Sequence, residues 1–257
     1  MQSFLKKKTQ SYLARYPRVF FCHIPKCAGV SLSNAIYASL YPKVFKASRF
    51  ASHIDLFSSR VSAELLDIDM MLARENELIF QLSDKYQLFT TGHCKARPNV
   101  VDRFKDNWSF VTILREPDKR FVSEYVYNKF KSSSWVKNSD EISAYLESEK
   151  ALLSSTTYAR FFSHFSNPTD ILNNEQEAIE SAISNLKNFA VSGSLENLDS
   201  WQSSFNTKFN TKISIENKNS SPNKSATQDI YEDKGVMQSI QHLNRIDQAI
   251  YQSVVKA

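Results

Sequence analysis

Short apolar runs alternate with longer amphipathic stretches through the first half of the chain. Residues 18–23, 87–91 and 108–114 read as buried strands, and Trp108-Ser-Phe-Val-Thr-Ile-Leu114 is the clearest of them. Helical spacing covers about 2–14, 30–40, 61–73, 99–105 and 117–131, with an irregular stretch after the second helix. Strands alternating with helices predict an α/β fold, a central parallel sheet flanked by helices. The C-terminal half reads as mostly helical, over 139–148, 155–165, 174–188, 195–205 and 227–254, with short strands near 189–192 and 212–215. Ser132-Ser-Ser134 and 217–225 are polar connections too short for domain linkers, so one domain over 1–257 is expected.

The first strand breaks at Pro25, passes Lys26 and Gly29, and restarts as a helix. Such a strand–loop–helix offers backbone N–H groups and the positive end of a helix dipole to an anion, while Lys26 adds a charge and Ser31 a hydroxyl. It is not the phosphate loop of nucleotide hydrolases, which requires Gly-Lys followed directly by Ser or Thr. The strand at 108–114 runs into Arg115-Glu-Pro-Asp-Lys-Arg120-Phe-Val-Ser123. Pro117 and Asp118 suit the first turn of a helix. Arg115 therefore stands at the carboxyl end of a strand, where open α/β sheets bind ligands. Ser123 lies about two turns on and shares an anion with Arg115 if the helix packs back across that end. Taken singly, Arg115 reads as a salt-bridge partner and Ser123 as a surface serine.

Together these stretches resemble the sulfotransferases that use 3′-phosphoadenosine 5′-phosphosulfate (PAPS), most closely the carbohydrate branch that includes the heparan and uronyl 2-O-sulfotransferases. Ile24-Pro25-Lys26-Cys27-Ala28-Gly29-Val30-Ser31 is similar to that family's 5′-phosphosulfate loop, and Leu114-Arg115-Glu116-Pro117 with Arg120 and Ser123 to its 3′-phosphate element. Cys27 and Val30 stand where the family usually has threonine, and Ala28 where it has glycine, so anion binding would rest on backbone N–H groups, Lys26 and Ser31. The resemblance implies a P-loop-like sulfotransferase fold, PAPS as donor and adenosine 3′,5′-bisphosphate as product. It implies that Lys26, Cys27, Ala28, Gly29, Val30, Ser31, Arg115 and Ser123 bind the cofactor. It also implies a hydroxyl acceptor, on a carbohydrate for the branch resembled. Gly92-His93 ends the 87–91 strand in the setting of that branch's proposed catalytic base. Segments 189–199 and 215–222, with Asn244, Asp247 and Tyr251, look like its later elements.

Composition narrows the picture further. The net charge of +5 suits a polyanionic cofactor, yet Lys6-Lys7-Lys8 supplies three of the charges and no nucleic-acid-binding motif is present. No apolar run approaches the roughly 18 residues of a membrane helix, and the N-terminus lacks a secretory apolar core. A cytoplasmic enzyme is expected, and beside the anchored animal members of the family resembled, the resemblance implies a bacterial-type enzyme or a trimmed chain. Cys22, Cys27 and Cys94 read as reduced thiols. They could in principle ring a metal with His23 and His93, but no metal-ligand spacing is present, and none is expected.

The expected chemistry is in-line sulfuryl transfer without a metal, with His93 as base and Lys26 stabilising the leaving group. His23, Glu124 and Asp102 remain rival bases. A small-molecule or nucleotide kinase and a non-catalytic nucleotide-binding protein of the same fold are the alternatives.

Overall fold

The computed structural model describes residues 2–215 and 223–256. Four short strands, β1 (Val19–Cys22), β2 (Ala51–Ile54), β3 (Phe89–Gly92) and β4 (Ser109–Thr112), form one parallel sheet in the order β2-β3-β1-β4. β1 and β3 are buried on both faces, so their sequences are apolar or Thr-rich throughout instead of alternating. The register aligns the strand ends: Cys22 pairs with Gly92 on one side and Thr112 on the other, and Gly92 pairs with Ile54. The next residues of neighbouring strands, His23 and His93, thus emerge side by side. This close strand contact requires glycine at position 92, where a Cβ would lie 2.7 Å from that of Ile54.

Helices cover both faces of the sheet. The main core joins the strands to Leu32, Ile36, Tyr158, Phe162, Trp201, Phe205 and Ile250, and a smaller cluster forms around Phe121, Tyr125, Tyr145, Ile230 and Ile240. Beyond β4, the segment predicted as a strand at 189–192 makes one isolated parallel bridge, Val191 to Val111, and Ser194 past its end makes another to Leu114.

Several predicted elements are corrected. The helix expected at 61–73 is two, Leu56–Leu66 and Met70–Ser83, because Asp67 takes a left-handed conformation (φ 50°) and the Asp69 carboxylate caps the N–H groups of Met71 and Leu72. The helix expected at 227–254 is three, Lys224–Glu232, Lys234–Leu243 and Arg245–Val255, broken where Asp233 caps Gly235 and Val236 and again at Asn244. β2 falls within the stretch read as irregular: its Ala-Ser-His-Ile is too polar to signal a strand, and it is held by pairing with β3. Residues 212–215, expected as a strand, have no regular structure. Of the 215–222 segment likened to a later element of that family, residues 216–222 lie outside the described residues. No helix among the described residues is long and apolar enough to cross a membrane.

Candidate active site

The loop after β1 emerges at the carboxyl edge of the sheet, between the ends of β3 and β4, because β1 lies between those strands. Lys26 and Ala28 both hold positive φ, 67° and 56°, a conformation that costs a non-glycine residue about 1–3 kcal/mol. This backbone leads directly into the Gly29–Leu40 helix. The N–H groups of Gly29, Val30 and Ser31 sit in its first turn, where no intrahelical carbonyl can accept them. They border a cavity of about 520 Å³ lined also by Lys26, His23, His93 and one face of the Pro117–Phe130 helix with its C-cap: Glu124, Tyr127, Asn128 and Lys131. That face follows i, i+3, i+4, i+7 spacing, a period legible in the sequence.

Lys26 Nζ lies 3.7 Å from the centroid of the Tyr127 ring. Burial, assisted by the Arg115 and Lys131 charges and opposed by Glu124, pushes the Lys26 ammonium down to about 8. Cys27 is turned away from the cavity. Its Sγ is buried against Tyr158 Oη and the Pro25 carbonyl, and its N–H donates to the Ile24 carbonyl. Val30 is 72% exposed at the cavity mouth.

Arg115 meets this loop directly: its Nη1 donates to the Lys26 carbonyl across 3.3 Å. The buried Tyr158 fixes the Arg115 main chain, accepting from its N–H at 3.0 Å and donating to its carbonyl. The entry of the next helix is held by the Glu196 carboxylate, which accepts from the Glu116 N–H at 3.0 Å and from Tyr251 Oη at 3.0 Å. The other two residues of the last likened segment are also ties: Asn244 donates to Asp118, and buried Asp247 caps the N–H groups of Tyr158 and Ala159. Ser123 is half-buried on the Pro117–Phe130 helix, one residue before the cavity-facing Glu124. Neither Ser123 nor Arg115 forms part of the 520 Å³ cavity wall.

The two histidines form the floor. Their ring centroids are 4.1 Å apart. His93 Nδ1 lies 2.7 Å from the His23 carbonyl oxygen. A carbonyl oxygen can only accept, so Nδ1 carries the proton and Nε2 keeps its lone pair. Burial, with the Arg74 and His53 charges, lowers the His93 pKa below the ordinary value; the His23 carbonyl and Glu124 oppose this. His23 itself is pushed by burial, then by His93 and His53, down to about 2, so its ring stays neutral. It fills the space over Gly29, where a Cβ would come within 1.6 Å of His23 Nε2.

The rival bases are otherwise engaged. Glu124 pairs with buried Arg120 at 2.6 Å and accepts from Ser154 Oγ at 2.8 Å. Burial acts to raise its pKa, but the Arg120 charge and hydrogen bond prevail and hold the carboxyl below its ordinary range. Asp102 pairs with Lys105 at the surface, both side chains exposed. A second cavity, of about 400 Å³, shares His23, Gly29, Val30 and His93 with the first and continues along Ser33, Asn34, Tyr37, Lys46, Ser52, His53 and Thr91. All three cysteines are buried and free, and among the described residues no group of three His, Cys, Asp or Glu side chains could hold a metal.

No curated protein compared with the chain matches it. A model of the Sulfotransferase family matches residues 10–252, a span that takes in the sheet, the anion loop, Arg115 and both histidines, and the chain belongs to that family.

Proposed function

We propose that residues 1–257 act as one PAPS-dependent sulfotransferase domain, transferring a sulfuryl group to an acceptor hydroxyl on a carbohydrate. The observation that carries this reading is the contact of Arg115 with the Lys26 carbonyl, which joins two anion-binding elements over one strand-end cleft. The unpaired N–H groups of Gly29 to Ser31, the Lys26 ammonium and the Arg115 guanidinium suit a ligand with anionic groups at two ends. PAPS supplies a sulfuryl group on a phosphate leaving group. His93 Nε2 takes the acceptor proton, the loop N–H groups hold the anionic oxygens, and Lys26 meets the charge that grows on the bridging oxygen. Cofactor contacts belong to Lys26, Ala28, Gly29, Val30, Ser31, Arg115 and Ser123, with Cys27 supporting the loop from beneath.

Two cavities meeting at His23 and His93 suit a two-substrate transfer, the larger for the phosphosulfate end of the donor, with Arg115 and Ser123 beyond its wall, and the smaller for the acceptor. The smaller one's Ser33, Asn34, Ser52 and Thr91 beside the Tyr37 ring fit a polyhydroxylated ligand. Three buried free thiols fit the cytoplasmic setting that belongs to this reading. Thermal denaturation with nucleotides tests it. Adenosine 3′,5′-bisphosphate is expected to raise Tm far more than AMP or ATP, since a ligand stabilises in proportion to its affinity for the native state, and Arg115→Ala to erase the difference. Equal shifts with AMP would remove the 3′-phosphate assignment.

A further inference from the structure

We propose that Arg74 is a positioning residue for His93, gripping the main chain that carries the imidazole and setting the charge field around it. Arg74 stands on the Met70–Ser83 helix, is 6% exposed, and lines neither of the two cavities. Its Nη1 donates to the His93 carbonyl across 3.1 Å. His93 is thus held at both ends, its carbonyl by Arg74 and its ring Nδ1 by the His23 carbonyl. Two anchors leave Nε2 little freedom to wander from the cleft.

Burying a guanidinium is costly unless it is paired, and the ion pairs among the described residues do not include Arg74. Its Nε has no hydrogen-bond partner among them. Asp55 and Glu77 act on it through their charges, while Asp55 accepts from the N–H of Ser58 as a helix cap. The cation is therefore not neutralised at contact, and its field reaches His93.

The titratable and charged groups acting on His93 come from four elements: His23 after β1, His53 on β2, Arg74, and Glu124 on the Pro117–Phe130 helix. Burial, Arg74 and His53 disfavour the imidazolium; the His23 carbonyl and Glu124 favour it. Losing the Arg74 charge should therefore raise the His93 midpoint, so that more of the ring is protonated near neutral pH and less can accept a proton. This inference rests on the reading of His93 as the base, but its primary test does not require an acceptor.

The test is an NMR titration of the imidazole nitrogens in ¹⁵N-labelled wild type, Arg74→Gln and Arg74→Lys, with circular dichroism to verify folding. Wild-type His93 is expected to titrate below the ordinary histidine value, its neutral form the Nδ1–H tautomer. Arg74→Gln, which keeps an N–H donor but loses the charge, is expected to move the midpoint up. Arg74→Lys keeps the charge and is expected to stay near wild type. Adenosine 3′,5′-bisphosphate affinity should be unchanged in both. In a labelled sulfuryl-transfer assay, Arg74→Gln should lose kcat at and below neutral pH, with the acid limb of the pH profile shifted upward, because more of the ring is then protonated. An unmoved midpoint in Arg74→Gln, or an equal rise in Arg74→Lys, would overturn the proposal. Loss of the native fold in both variants would make Arg74 a structural cation and overturn it as well. If wild type binds no adenosine 3′,5′-bisphosphate, the transferase reading falls, while the comparison of midpoints still decides the role of Arg74.

Discussion

His93 Nδ1 and the His23 carbonyl oxygen stand 2.7 Å apart, which commits one face of the imidazole to the strand beside it and leaves the other nitrogen for chemistry. If Nε2 takes the acceptor proton, His93→Ala should lower turnover by roughly 10²–10⁴ and leave adenosine 3′,5′-bisphosphate affinity nearly unchanged. Parallel loss of affinity, read by calorimetry, would assign His93 to binding instead.

Gly29→Ala probes the packing beneath the loop. A Cβ there would overlap the His23 imidazole, with Nε2 1.6 Å away, so ring or loop must shift. Overpacking of this kind costs about 1–3 kcal/mol. The expected variant has a lower Tm and a sharply reduced nucleotide affinity. Wild-type behaviour would mean that His23 can swing aside freely.

Lys26 gives the nucleotide site a pH dependence. Burial brings its ammonium to about 8, so the free protein loses this charge as pH rises through 8. An anionic ligand favours the charged form, and its affinity should therefore be full below pH 8 and fall between about 8 and 10. Lys26→Met should bind weakly with no such fall. Titrations at several pH values read both; a flat wild-type profile would detach Lys26 from the ligand.

Asp247 separates support from chemistry. Its buried carboxylate accepts the N–H groups of Tyr158 and Ala159, and Tyr158 in turn fixes the Arg115 main chain. Asp247→Ala orphans two buried donors and should cost about 1–3 kcal/mol of stability, seen as a lower denaturant midpoint. An unchanged midpoint would show that the cap is dispensable.

How much of this was legible depends on the range of the interaction. The anion loop, Arg115 and Gly92-His93 sit at the ends of short apolar runs, and strand ends are visible in local pattern. β2 was not, because Ala51–Ile54 becomes a strand through its pairing with β3. The break between the Leu56–Leu66 and Met70–Ser83 helices hung on Asp67 and Asp69, hidden inside a continuous apolar period. Tyr158, Asp247 and Arg74 reach the site from far along the chain or from the back of another helix, and nothing near them in sequence points to Arg115 or His93. The motif places Cys27 among ligand contacts, whereas its thiol meets Tyr158 Oη and the Pro25 carbonyl and its amide the Ile24 carbonyl.

Transfer itself is the most direct test of the central claim. Wild-type protein, PAPS labelled in the sulfuryl group and a panel of soluble glycans would be incubated together, and label in the glycan fraction counted against His93→Ala and Lys26→Ala. Label is expected on at least one glycan with wild type, with a loss of roughly 10²–10⁴ in His93→Ala at intact nucleotide affinity and a loss of both turnover and affinity in Lys26→Ala. Tight adenosine 3′,5′-bisphosphate binding with no label transferred to any glycan, or transfer that survives in His93→Ala, would contradict it.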